Sequence, residues 1–151
     1  MNEYRILVVD DEEDLCEILK FNLENEGYEV DTANSAEDAL KMDISTYDLL
    51  LLDVMMGEIS GFKMASMLKK EKKTAQIPII FITAKDTEND TVTGFNIGAD
   101  DYISKPFSLR EVAARVKAVL RRTRQTETER APEQIAYKSL VLDIIKKKVS
   151  I

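Results

Sequence analysis

The sequence predicts an α/β domain built on a doubly wound parallel sheet, and three observations predict it. Five short strand-like runs alternate with segments of helical spacing through the first 120 or so residues. Three of those runs are hydrophobic without interruption, the pattern of parallel strands covered on both faces rather than of half-exposed antiparallel ones. The chain of 151 residues is long enough for one core of this kind and a short appendage.

Each element follows in order. Arg5-Ile-Leu-Val-Val9 reads as the first strand. Its apolar run stops at a block of acids, so it is neither a signal peptide nor a membrane span. Leu15, Ile18, Leu19 and Leu23 have helical spacing and end before Gly27. Glu29–Ala33 is a second strand, residues 36–42 a second helix, and Asp48–Leu52 a third strand, four of its residues leucine. Phe62, Ala65, Met67 and Leu68 mark a third helix, Ile79–Thr83 a fourth strand, and Val92 and Phe95 before Gly98 a fourth helix. Asp101–Ser104 is the fifth strand and Leu109–Leu120 the fifth helix. The order is (βα)₅, which calls for right-handed crossovers and a five-stranded parallel sheet.

Residues 1–124 are read as this domain. Residues 125–134 are polar, with no apolar period, and read as a linker. Residues 135–151 resemble strands of something that then stops. Seventeen residues cannot bury a core of their own, so they either pair with the main domain or open a second domain missing from this chain, and the second is the expectation.

Composition narrows the chemistry. Histidine is absent, which removes His-based acid/base catalysis, Ser-His-Asp triads and most zinc sites. The single cysteine, Cys16, cannot form an intrachain disulfide; on a helix face it reads as a small core residue in a reducing compartment. Net charge is −7, unevenly spread: residues 1–104 carry 9 basic and 23 acidic side chains, whereas 105–124 carry 7 and 1. The acidic body repels nucleic acid.

In an open parallel sheet, sites form beyond the carboxyl ends of the strands, where the strand order reverses. The residues at those ends are Asp10 and Asp11 after the first strand, Asp53 after the third, Thr83 in the fourth, and Lys105-Pro106 after the fifth. Taken singly, acids 10–14 suit the first turn of a helix, Thr83 suits a strand, and Lys105 suits a surface. Together, three carboxylates repel one another unless a cation joins them, and oxygen ligands with few from protein suit Mg²⁺. Lys-Pro after a strand permits a cis peptide that would turn the ammonium back toward the strand ends. A carboxylate nucleophile beside Mg²⁺, a hydroxyl and a lysine is what phosphoryl transfer onto an aspartate requires.

Five motifs in order now carry a resemblance: Val8-Val-Asp-Asp-Glu12, Leu52-Asp-Val-Met-Met56, Ile82-Thr-Ala84, Gly98-Ala-Asp-Asp-Tyr102 and Lys105-Pro-Phe107. Over about residues 4–124 the chain resembles the receiver domains of two-component response regulators, which have a flavodoxin-like fold. The resemblance implies that Asp53 is the phosphoacceptor and that Asp11, Asp53 and the backbone carbonyl of Met55 bind Mg²⁺. Asp10 would act through a metal-bound water. Lys105 would hold the phosphoryl oxygen, and Thr83 and Tyr102 would form a switch pair. Donors would be a sensor histidine kinase or a small phosphodonor, with slow self-hydrolysis and a cytoplasmic location.

Gly98–Phe107 and Arg121-Arg122 look most like the OmpR/PhoB subfamily, whose output is a winged-helix DNA-binding domain; residues 135–151 resemble its first strands. No recognition helix is present, so DNA is a partner only through the missing domain. The subfamily pairs two activated receivers through the fourth and fifth helices and the fifth strand. Asp101 with Arg115 and Asp100 with Arg122 are available for a homodimer, and Glu111 is present. Thr91 stands where a basic partner is usual, and Asn96 where an acid usually faces Lys117, so the dimer is expected to be weak. Gly57 replaces the family's usual proline.

Two other classes fit less well. An aspartate-nucleophile phosphatase typically wants a second acid two residues after the nucleophile, and here that residue is Met55. A flavodoxin-like cofactor binder wants a small, hydroxyl-rich first loop, whereas Asp10–Asp14 would repel phosphate without a metal.

Overall fold

The computed structural model describes residues 4–84 and 98–130, with side chains through Thr123. Five parallel strands form one sheet in the order β2-β1-β3-β4-β5. They are β1 (Arg5–Val9), β2 (Glu29–Ala33), β3 (Leu49–Asp53), β4 (Ile79–Thr83) and β5 (Asp101–Ser104). The doubly wound α/β class is therefore what forms. β3 and β4 are buried throughout and β1 nearly so, while edge strands β2 and β5 alternate or are mixed, as their sequences require.

β3 starts and ends one residue later than the predicted strand Asp48–Leu52. Asp48 is occupied at the other end, where its backbone and carboxylate bracket Arg5, N–H to O at 2.7 Å and Oδ2 to N at 2.8 Å. Asp53 stays in the ladder, opposite Ile82, and the next N–H, of Val54, bonds the Ile82 carbonyl at 2.9 Å. Arg5 also holds the lower edge together, its guanidinium 4.6 Å from the Tyr47 ring centre and 3.3 Å from Asp31.

Helix α1 (Glu13–Asn25) buries Cys16, Leu19 and Leu23. Ile18 does not join them: it is exposed, as is Phe21. α1 ends in a left-handed Gly27 at φ 101°, whose N–H bonds Glu24 while Tyr28 N–H reaches back to Leu23, a Schellman cap. α2 (Ala36–Leu40) is shorter than predicted and is capped by Ser35. α3 (Gly61–Lys69) is capped by Ser60 and buries Met64, Ala65 and Leu68, with Met67 turned outward. Phe62 stacks edge-on against Phe81 at 4.9 Å.

The final helix spans Leu109–Arg130 and so runs on through residues 125–130, read above as linker. That stretch has no glycine or proline before Pro132, and Arg, Gln and Glu tolerate a helix. The chain divides into two compact units at Val119/Leu120. The first holds the sheet; the described part of the second is helical backbone to Arg130. The predicted fourth helix, Thr91, Asn96 and residues 131–151 lie outside the described residues. Among the described residues, no helix is long and apolar enough to cross a membrane.

Candidate functional site

Strand register assembles the site. Val9 pairs with Leu52, so Asp10 leaves β1 beside Asp53. Asp53 pairs with Ile82, one residue before Thr83, and Thr83 pairs with Ser104, one residue before Lys105. Four strand ends thus deliver their side chains to one crevice at the β1/β3 switch point. Asp10, Asp53 and Thr83 are almost fully buried there, and Asp11 is exposed. One carboxylate oxygen from each of Asp10, Asp11 and Asp53 lies within 4.8 Å of the others.

Among the described residues, Lys105 is the cation that faces them. Its Nζ is 3.4 Å from Asp10, 3.6 Å from Asp53 and 3.2 Å from Glu12. Its backbone N–H donates to the Thr83 carbonyl at 2.7 Å, and the Lys105-Pro106 bond is cis. Asp10 is held from several sides: its carboxylate accepts the Glu12 N–H at 2.9 Å, and its carbonyl accepts the Asn34 amide at 3.1 Å and the Cys16 thiol at 3.3 Å.

One ammonium does not balance this cluster. Burial, reinforced by the charge of Asp10, pushes the Asp53 carboxyl up to about 7 despite Lys105 and a hydrogen bond from the Met55 backbone. Burial also raises Asp10, against the pull of the Glu12 N–H and Lys105. Burial pulls the Lys105 ammonium down, but the charges of Asp10, Asp53 and Glu12 outweigh it and leave its pKa raised. Burial pushes the Cys16 thiol up to about 11, so it is a packed core group rather than a nucleophile. The crevice therefore calls for added positive charge. An all-oxygen donor set, two members buried and one open to solvent, fits a hard divalent cation such as Mg²⁺ that keeps part of its water shell.

Around the centre, Met55 is 57% exposed. Tyr102 is half-buried, its ring 5.6 Å from that of Phe81. The proposed dimer-face charges are mostly joined within the chain: Arg115 grips both carboxylate oxygens of Asp101 at 2.9 and 3.0 Å and Glu111 at 3.2 Å. Asp100 caps the Ile79 N–H at 3.0 Å, and Arg122 is exposed on the final helix. Sequence reasoning gave no role to Glu12, Asn34 or Gly61. Asn34 directly follows β2, so the strand-end rule could have found it; Glu12 was hidden in an acidic run.

A five-stranded parallel α/β sheet with this crevice defines a class, and comparison agrees. The profile of the response regulator receiver domain matches residues 6–117, and the chain belongs to that family, whose members are regulatory domains rather than ordinary enzymes. The chain is 50% identical over 120 residues to the alkaline phosphatase synthesis transcriptional regulatory protein PhoP of Bacillus subtilis, covering 79% of this chain and 49% of that one. It is 44% identical over 143 residues to the transcriptional regulatory protein SrrA of Staphylococcus aureus, covering 91% and 58%. The crystal structure of response regulator DrrB, a Thermotoga maritima OmpR/PhoB homolog, superposes with a TM-score of 0.73 at 31% identity, over 80% of this chain and 54% of that one. The chain thus spans about half the length of the curated relatives it matches.

Proposed function

We propose that this chain is the phosphoacceptor part of an OmpR/PhoB-type two-component regulator, with residues 1–124 receiving the signal, 125–134 connecting, and 135–151 opening a DNA-binding domain that controls transcription in the cytoplasm. The observation that carries the reading is a buried aspartate, Asp53, facing one lysine and two further carboxylates at a sheet switch point.

Asp11, Asp53 and the Met55 carbonyl would hold Mg²⁺ directly and Asp10 through water; bound there, the ion would offset charge on the phosphoryl oxygens. An Asp53 carboxylate oxygen attacks the phosphorus of a phosphohistidine on the partner kinase. The new P–O bond forms as the P–N bond breaks, and the electron pair stays on the donor nitrogen, which takes up a proton. Lys105, freed from part of its carboxylate pairing, turns to a phosphoryl oxygen. Thr83 donates its hydroxyl to another, and Tyr102 follows into the space behind it, reshaping the outer face of β5 and the final helix. Met55 carries no group that orients water, so hydrolysis of the acyl phosphate is slow.

The test is incubation with a small acyl phosphate. One hydroxylamine-labile phosphoryl group is expected per chain with Mg²⁺, and none after chelation or in Asp53→Asn. Labelling of Asp53→Asn to the wild-type level would overturn the assignment.

A further inference from the structure

We propose that Gly61 is a positioning residue for the phosphoacceptor, acting through the Asp53–Val54 peptide; the proposal rests on the reading of Asp53 given above. Gly61 is the first residue of α3, and its backbone does not occupy the left-handed region. Glycine is therefore not needed there for conformation. It is needed for space: a β-carbon would collide with the Asp53 carbonyl oxygen and lie 3.0 Å from the carbonyl carbon and 3.2 Å from Val54 Cα. These are backbone atoms of a buried strand end, so they cannot swing aside as a side chain would.

The approach is fastened on both sides. Gly61 N–H donates to the Val54 carbonyl at 3.1 Å, while Val54 N–H donates to Ile82 in β4 at 2.9 Å. Val54, which begins the acceptor loop, is thus clasped through its N–H to β4 and through its carbonyl to α3. The next residue, Met55, supplies the N–H that bonds the Asp53 carboxylate. Ser60, one residue before the contact, caps α3, its hydroxyl oxygen accepting the Lys63 N–H at 3.1 Å, so the helix start is tied down where it meets the acceptor. A methyl group at 61 suits a helix better than hydrogen does. It must either lift α3 from the strand or rotate the Asp53–Val54 peptide, and both move the acceptor loop.

Gly61→Ala separates this role from simple packing when compared with Leu68→Ala, which removes a buried side chain of the same helix away from Asp53. Three quantities are read: the maximal phosphorylation rate with a small acyl phosphate, the half-saturating donor concentration, and Mg²⁺ affinity from amide shifts in an NMR titration. Gly61→Ala is expected to lower the maximal rate about 10- to 100-fold with little change in half-saturation, as a misplaced reacting group does, and to weaken Mg²⁺ binding. Leu68→Ala is expected to lose thermal stability and keep the chemistry of its folded fraction. If Gly61→Ala does not fold, the wild-type protein decides: hydrogen exchange at the Gly61 and Val54 amides should slow together on adding Mg²⁺ and beryllofluoride. Gly61→Ala behaving like Leu68→Ala, or the two amides failing to respond, would overturn the proposal. A wild type that takes no phosphoryl group would instead overturn the reading of Asp53.

Discussion

At the scale of single residues, the site is held in a state of excess negative charge, and pH exposes it. The folded Asp53 carboxyl titrates near 7 against an ordinary 3.8, so the folded form binds a proton more tightly than the unfolded form. Its favourable contribution is fully present below about pH 4 and is lost as pH rises through 7. Without divalent cations, stability should therefore fall between pH 4 and 7.5 as this group ionises. Asp53→Asn should flatten that part of the profile and stabilise the domain at neutral pH by about 1–3 kcal/mol. Urea melts across pH, with and without Mg²⁺, check both points, and added Mg²⁺ should recover wild-type stability but do little for the variant. The positions of Asp10, Asp11, Asp53, Thr83 and Lys105 were legible because they lie at or just after the ends of predicted strands, and parallel strands send such residues to one edge. Gly61 was not legible. Its reason is a contact with the backbone of a residue eight positions earlier, and no local pattern encodes the distance between a helix end and a strand.

At the scale of elements, α1 shows most clearly where periodicity misleads. Ile18 has the spacing of a core residue, yet Cys16 takes the inward place, and Ile18 and Phe21 stand 49% and 69% exposed. Cys16, Leu19 and Leu23 share the face turned to the sheet, which leaves Ile18 and Phe21 on the outer one, and the Cys16 thiol there reaches the Asp10 carbonyl. The result is an apolar surface along α1, and the groove lined by Glu12–Leu15 and Ile18 leads from it to the acid that pairs with Lys105. A kinase presenting phosphohistidine over this helix would cover that surface. Ile18→Glu is expected to slow transfer from the kinase about tenfold while leaving uptake from a small acyl phosphate unchanged. It should shift stability by no more than about 0.5 kcal/mol. Parallel stopped-flow and small-donor assays measure the difference. At the other end of the chain, the final helix continues where polar composition suggested a linker, because lack of an apolar face does not by itself stop a helix that meets no breaker.

At the scale of the whole molecule, three of the charges expected to pair two copies, Asp101, Glu111 and Arg115, already pair within one. Arg115 with Asp101 and Glu111 forms a complete network in the single chain, and the sequence could not distinguish a partner on the same chain from one on another. Dimerisation on activation would exchange these half-buried bridges for equivalent ones, an exchange with little net gain. Activated protein should therefore dimerise weakly, and raising salt from 0.05 to 0.5 M should weaken it further. Sedimentation equilibrium with Mg²⁺ and beryllofluoride is the check; a tight, salt-indifferent dimer would contradict the exchange. The register that gathers the crevice has a consequence for the timing of signalling. Residues 10, 53, 83 and 105 come from four strands, so no fragment of the domain holds a working acceptor. On the function proposed above, a nascent or partly unfolded chain would not be switched on, and a phosphoryl group on Asp53 would mark a finished fold.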